Sequence, residues 1–319
     1  MDNLRRLGDQ IYVSFPSDEA GFTGRHCPQD SCGNYFKIQF GTGLKGSNLP
    51  CHCPYCGYKG DHSEFHTQEQ IEYAKSVAIR KISDAIYKDF KKFEFNVKPH
   101  GGFGIGLSLK VKRDRVPLIR YYHEKELETI VVCSECGLRY AIYGVFAYCP
   151  DCAAHNSLQI LNKNLDLLEK QLELAHREGG ELGRQLIEDA LENAVSTFDA
   201  FGRQLCSLHA NQSVDPGAVQ SVSFQNLEKA KGKLINWFRL DLTVLTGFSN
   251  WTFLVRCFQK RHLLAHKLGV IDQVYIENTD DPAAIIGRKV SIEIDEVKSA
   301  LLLLKELGKS LSNTLSAEH

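Results

Sequence analysis

From Ser157 onward the apolar residues recur at helical spacing. Leu158, Leu161, Leu165, Leu168, Leu172 and Leu174 form one stripe, Gly179-Gly180 interrupts it, and the pattern resumes from Leu182 to about Leu208. Side chains three and four apart share one face of a helix, so the stripe predicts amphipathic helices that pack on one another. Two more helices are predicted over 225–245 and 250–268, and a last one over 296–311. Residues 211–217, with Asp215-Pro216-Gly217, read as a loop, and 281–295 as a loop with a short hairpin.

The N-terminal half follows other periods. Ile71, Ala74, Val77, Ala78, Ile82 and Ile86 predict a helix over 67–93, with Thr67 as its N-cap. From Phe103 to Val111 apolar residues alternate with small or polar ones, the period of a half-buried strand. Lys112-Arg113-Asp114-Arg115 reads as the turn after it, and Val116 to Tyr122 as its partner strand. Short β-type runs such as Tyr35–Phe40 lie among Gly- and Pro-rich turns. The expected architecture is α+β and multidomain: 1–60, a basic helix and hairpin segment 61–128, a second small β module 129–156, and a helical domain 157–319.

Composition adds compartment and charge. A length of 319 residues favours two or three domains. No apolar run is long enough to span a bilayer, and Met1–Arg6 lacks the apolar stretch of a secretory signal, so a cytoplasmic location without membrane contact is expected. In a reducing cytosol, paired cysteines serve as metal ligands more often than as disulfides. The net charge is −1, which by itself implies no anionic partner. The charge is uneven, however: Lys75–Lys125 holds 13 Lys/Arg against 5 Asp/Glu. Lys110, Lys112, Arg113 and Arg115 are therefore candidate nucleic-acid contacts.

Eight of the 11 cysteines fall into four short pairs. Cys133-x2-Cys136-Gly137 is followed after twelve residues by Cys149-x2-Cys152. Cys27-x4-Cys32-Gly33 is followed after twenty by Cys53-x2-Cys56-Gly57. Two such knuckles supply four thiolates to one tetrahedral ion. Cys51 competes with Cys53 for a place, and His52, His62 and His66 lie close enough to intrude. The repeated Cys-Pro-x-Cys chemistry favours Cys53. Both segments resemble zinc ribbons, which implies two structural Zn ions per chain. A closed four-thiolate shell leaves no open position for water, so neither site is hydrolytic. A thioredoxin-type redox pair would need one pair opening a helix, which neither segment offers.

The C-terminal half has one segment suited to chemistry, Arg261-His262-x3-His266 near the end of a predicted helix, followed by Gly269-Val270-Ile271-Asp272 and Tyr275. Residues 157–319 resemble the HEPN domain, an all-α dimeric fold whose ribonuclease members carry an Arg-x(4–6)-His motif. The resemblance implies a homodimer that cleaves RNA without a metal in the chemistry, with Arg261, His262 and His266 as catalytic residues. It further implies a toxin or antiphage effector role, the ribbons sensing DNA or a protein trigger. Two other spacings match, Arg203/His209 and Arg256/His262, without that context. The contrasting expectation is a non-catalytic, zinc-dependent nucleic-acid-binding or adaptor protein that dimerises through the same domain. Trp237, Trp251, Phe253 and Phe258 read as core.

Overall fold

The computed structural model describes residues 1–46, 48–98, 107–113, 115–279 and 281–317, the side chain of Val97 excepted. The protein is mixed α/β and divides into two compact units, 1–154 and 155–319.

In the first unit, β1 (Thr23–His26) pairs with β2 (Tyr35–Ile38), and β7 (Thr129–Val132) pairs with β8 (Arg139–Ile142). The inner strands β2 and β8 pair antiparallel, through Lys37 with Ala141 and Ile38 with Tyr140, so both cysteine modules share one four-stranded sheet in the order β1-β2-β8-β7. The knuckles repeat this reciprocity. His52 N–H donates to the Pro150 carbonyl and Tyr148 N–H to the Pro54 carbonyl, each at 2.8 Å. The two modules are thus related by an internal pseudo-two-fold. Phe36, Ile38, Phe65, Tyr140 and Ile142 form their shared core with the cysteines. β3 (Cys51–His52) and β4 (Lys59–Gly60) make a separate two-residue pairing.

The helix predicted over 67–93 is α2 (Gln68–Lys91), opened by a capping box in which Thr67 accepts from Gln70 N–H and Gln70 reaches back to Thr67 N–H. The short α1 (Asp2–Arg5) docks its N-terminal amides on Asp89 of α2, with Asn3 and Leu4 N–H donating to the carboxylate at 3.0 Å each. Those bonds hold Asp89 well below the usual carboxylate range against the opposing effect of burial.

The hairpin differs from expectation. β6 (Leu107–Leu109) pairs with β5 (Phe95–Val97), upstream of it. Residues 103–106 of the predicted strand, and Asp114 of its predicted turn, lie outside the described residues. Residues 115–122 run without a ladder along α2. Arg80 donates to the Pro117 carbonyl at 3.0 Å, Ser76 accepts from Arg120 N–H at 3.0 Å, and Arg120 bonds Glu72 at 2.9 Å. The segment's hydrogen bonds go to helix side chains, so alternation alone misassigned its partner.

The second unit is helical: α3 (Ser157–Glu178), α4 (Gly180–Leu208), α5 (Leu227–Phe238), α6 (Leu242–Thr246), α7 (Phe248–Lys267), α8 (Gln273–Thr279) and α9 (Ile294–Ala317). The helix predicted over 225–245 breaks at Arg239, which adopts φ 54°, and Asp241 caps α6 by accepting from Thr243 N–H. The hairpin predicted within 281–295 is absent among the described residues; the loop pairs instead with residues 269–271, through the isolated bridge Val270–Lys289 and through Ile271 N–H donating to the Arg288 carbonyl and Val290 N–H to the Gly269 carbonyl, each at 2.9 Å. Leu161, Leu165, Phe198, Phe201, Leu254, Leu304 and Leu311 build the core. Phe198 meets Phe224 and Phe258 edge-on, at 5.8 and 6.4 Å. Gly308 lets α9 approach α3 closely, since a Cβ there would strike Leu161. Trp251 and Phe258 are buried, and Trp237 and Phe253 pack partly buried on the same core, as expected. Phe198→Ala is expected to cost about 3–5 kcal/mol, read as a lowered denaturation midpoint in tryptophan fluorescence. Both tryptophans lie in this unit.

Candidate functional site

Each cysteine set closes on itself. The four Sγ atoms of Cys27, Cys32, Cys53 and Cys56 lie within 4.8 Å of one another, and so do those of Cys133, Cys136, Cys149 and Cys152. Among the separations are 3.6 Å for Cys27–Cys56, 3.8 Å for Cys32–Cys53, 3.6 Å for Cys133–Cys152 and 3.5 Å for Cys136–Cys149. A tetrahedral ion with metal–sulfur bonds of about 2.3 Å has sulfur–sulfur edges of about 3.8 Å. The two sets therefore fit a metal ion each.

The backbone explains why. The residue after each knuckle has positive φ: Gly33 53°, Gly57 73°, Gly137 79° and Ala153 60°. Gly57, Gly137 and Ala153 donate back to the carbonyls of Cys53, Cys133 and Cys149, each at 3.0 Å. This turn aims N–H groups at the sulfurs. Burial pushes the Cys27 and Cys136 thiols up to about 11 and Cys53 and Cys149 higher still, whereas at Cys32 and Cys133 the N–H groups and neighbouring thiols outweigh burial and bring the thiol down. Loading must displace protons, so metal retention falls as pH falls.

The competition between Cys51 and Cys53 resolves for Cys53. Cys51 is buried outside the cluster on β3, its thiol pushed up to about 12 by burial. Two of the nearby histidines are engaged elsewhere. His52 Nδ1 meets the Pro150 carbonyl at 3.2 Å and His66 Nδ1 meets the Ser63 carbonyl at 3.0 Å; His62, whose buried Nδ1 makes no hydrogen bond, lies beside Phe40 and outside the four-sulfur cluster.

Of the four basic candidates, Lys110, Lys112 and Arg115 are exposed. Arg113 is tied down: it pairs with Asp84 and lies over the Tyr87 ring at 5.4 Å.

In the second unit, His262 and His266 sit one turn apart at the solvent-facing end of α7, ring centroids 4.7 Å apart. Partial burial, then the charges of His266, Arg261 and Lys267, lower the His262 pKa and favour its neutral imidazole. Arg261 points the other way. It is 7% exposed, its Nε and Nη2 make no hydrogen bond, and its nearest opposite charges are Glu192 and Asp199 of α4. Its neighbour Lys260 is fully engaged, by the Ser291 carbonyl at 2.8 Å and Glu296 at 2.7 Å. Lys267 is held by Asp272, which also caps α8 by accepting from Tyr275 N–H. One chain thus brings together His262 and His266 but not Arg261.

Arg203 reaches Asp199 at 3.7 Å, and His209 at the end of α4 faces His155. Sequence reading passed over His155. Burial pushes it down to about 4, and its neutral ring accepts from Ser157 N–H at the start of α3. No periodicity marks a capping histidine, so no signal was available for it.

Compared with protein-family models, with curated proteins and with solved structures, the chain has no match. Among the described residues no helix is long and apolar enough to cross a membrane.

Proposed function

We propose that the chain is a zinc-stabilised, metal-independent endoribonuclease whose reacting groups are on α7. The observation that carries this reading is the exposed His262–His266 pair, the only place among the described residues where two neighbouring imidazole rings face solvent on one helix. A neutral imidazole removes the proton of an RNA 2′-OH, the 2′-oxygen attacks phosphorus, and a protonated imidazole returns a proton to the departing 5′-oxygen. The products are a 2′,3′-cyclic phosphate and a free 5′-OH. His266 and His262 are suited to those proton transfers, and Arg261 to the charge on the phosphorane. The complete site takes two copies of α7 across a two-fold axis, which brings two His262–His266 pairs to one cleft; Arg261, inward in each copy, joins it only by turning outward from α4. No ion enters the chemistry, since the thiolate sets are closed. Zinc is the ion assigned to them, because a closed tetrahedron of four thiolates in a ribbon-like module suits it. RNA is the substrate class; the role proposed with it, a toxin or antiphage effector acting in the cytoplasm as a homodimer, rests on the resemblance to HEPN ribonucleases alone.

A second reading has its own observation. The inward, unpartnered Arg261 is what a non-catalytic helical domain would show, and the protein would then be a zinc-dependent nucleic-acid-binding adaptor. Cleavage of RNA by wild type and by His266→Ala separates the two.

In either reading Lys110, Lys112 and Arg115 bind phosphate. Reversing all three to Glu is expected to flatten the salt dependence of binding by about 0.7–0.9 log units per log salt for each phosphate that is no longer neutralised. An unchanged slope in a filter-binding titration would remove them from the interface. Arg113→Glu is expected instead to loosen residues 110–113 from α2, because its partner is Asp84.

A further inference from the structure

The helical unit holds a polar groove of about 450 Å³ between α4 and the 3₁₀ turn Ala218–Ser221. That volume suits a small molecule. Asp199, Arg203 and Ser207 follow one another at four-residue spacing along one side of α4 and line the groove, and Gln220 comes from the turn. Two anchors fix the loop that carries this turn. Asp199 Oδ1 accepts from Phe224 N–H and from the Ser223 hydroxyl. Gly202 leaves room for the Phe224 ring, which a Cβ at that position would strike.

Asp199 is only 5% exposed, yet its second oxygen has no hydrogen bond. The nearest cation to Oδ2 is Arg203 Nη1 at 3.7 Å, too far for one. Arg261 attracts the carboxylate by charge alone and is drawn more strongly to Glu192. An almost buried carboxylate oxygen without a donor is unfavourable, so it favours a ligand that brings one. Arg203 itself is exposed and leaves its guanidinium open to an anion. The side chains of Gln204, Ser207 and Gln220 also make no hydrogen bond within the chain among the described residues.

We propose that this groove binds a free α-amino acid with an uncharged side chain. Such a ligand carries its ammonium and its carboxylate on adjacent carbons, the complement of a carboxylate and a guanidinium held 3.7 Å apart without a hydrogen bond. The ammonium has three N–H donors, one for Asp199 Oδ2 and two for the side-chain oxygens of Ser207 and Gln220. The ligand carboxylate takes the paired donors of Arg203. An aliphatic side chain covers Ala200 and Val219. A polyphosphate would set several negative charges beside Asp199, and a polyamine several positive charges beside Arg203. Neither matches a groove with one charge of each sign.

The site is separate from the His262–His266 pair and is read by binding, so its failure leaves the cleavage reading untouched. Isothermal titration of full-length, metal-loaded protein with L-leucine as the probe is expected to give one site per chain with Kd below about 1 mM. N-acetyl-L-leucine, which lacks the ammonium, and 3-methylbutylamine, which lacks the carboxylate, should each bind at least about tenfold more weakly. Arg203→Ala should weaken L-leucine by a similar factor, and because Arg203 is exposed the fold should hold. Asp199→Asn keeps an oxygen for Phe224 and Ser223 but turns an N–H donor on the ammonium, so binding should be lost while helical circular dichroism stays unchanged. If that variant fails to fold, Arg203→Ala and the two analogues still decide. The proposal is overturned if L-leucine, L-serine and L-glutamine all fail to bind up to about 10 mM. It is equally overturned if the amine binds as tightly as L-leucine, or if Arg203→Ala leaves the affinity unchanged.

Discussion

Cys136→Ser is expected to lose one of two zinc ions per chain and to unfold far more than its own hairpin. Loading a four-thiolate site is worth about 10–16 kcal/mol in small zinc modules, against a typical domain stability of about 5–15 kcal/mol. The core that remains is small: Phe36, Ile38, Phe65, Val131, Leu138, Tyr140, Ile142 and Ala147, packed on the cysteines themselves. β8, which follows Cys136, is the strand that pairs with β2 of the other module. Damage therefore crosses the sheet, and the first cysteine set should lose its ion at lower chelator concentration than in wild type. Two measurements check this. Elemental analysis should give close to two zinc for wild type and at most one for the variant. Tryptophan fluorescence, which reports Trp237 and Trp251 alone, should show 155–319 still folded. Fewer than two zinc in wild type purified without chelator would refute the paired-site assignment. Acid should act in the same direction: each ligand thiol must give up its proton to bind, so metal is held at neutral pH and released as pH falls.

His266→Ala is expected to reduce RNA cleavage about 10²–10⁴-fold, the usual cost of losing a positioned acid–base group. Arg261→Ala should cost about 10²–10³, as when a charge-stabilising group is removed. His262→Ala should do less. Cleavage should survive brief EDTA treatment and fail on DNA, which lacks the 2′-OH. Arg261→Met is the more informative substitution. A buried charge without a hydrogen bond at Nε or Nη2 is a liability, and an apolar side chain of similar volume is commonly neutral or stabilising. Arg261→Met should therefore fold at least as well as wild type. If it also retains full cleavage, Arg261 has no part in the reaction. Cleavage persisting in His266→Ala would refute the α7 site as a whole.

The sequence by itself determined what depends on near neighbours. The knuckle spacings and glycines Gly33, Gly57 and Gly137 specify local turns, and a turn is settled within a few residues. Thr67 with Gln70 specified the start of α2, and Gly179-Gly180 the break between α3 and α4, for the same reason. The tertiary structure decided what depends on partners far along the chain. The repeated Cys-Pro-x-Cys already favoured Cys53 over Cys51; what the fold adds is that Cys51, on β3, lies outside the cluster that Cys53 forms with Cys27, Cys32 and Cys56. Pairing β6 with β5, and laying 115–122 on α2, rests on side chains such as Ser76 and Arg80 that capture backbone groups. The joining of two cysteine modules through β2 and β8 has no local signature, since strand alternation fixes a face but not a neighbour. Arg261, written next to His262 in the chain, is set on another side of α7 by the 100° step of the helix. Burial against α4 then keeps it there, and no spacing along the sequence reports that burial.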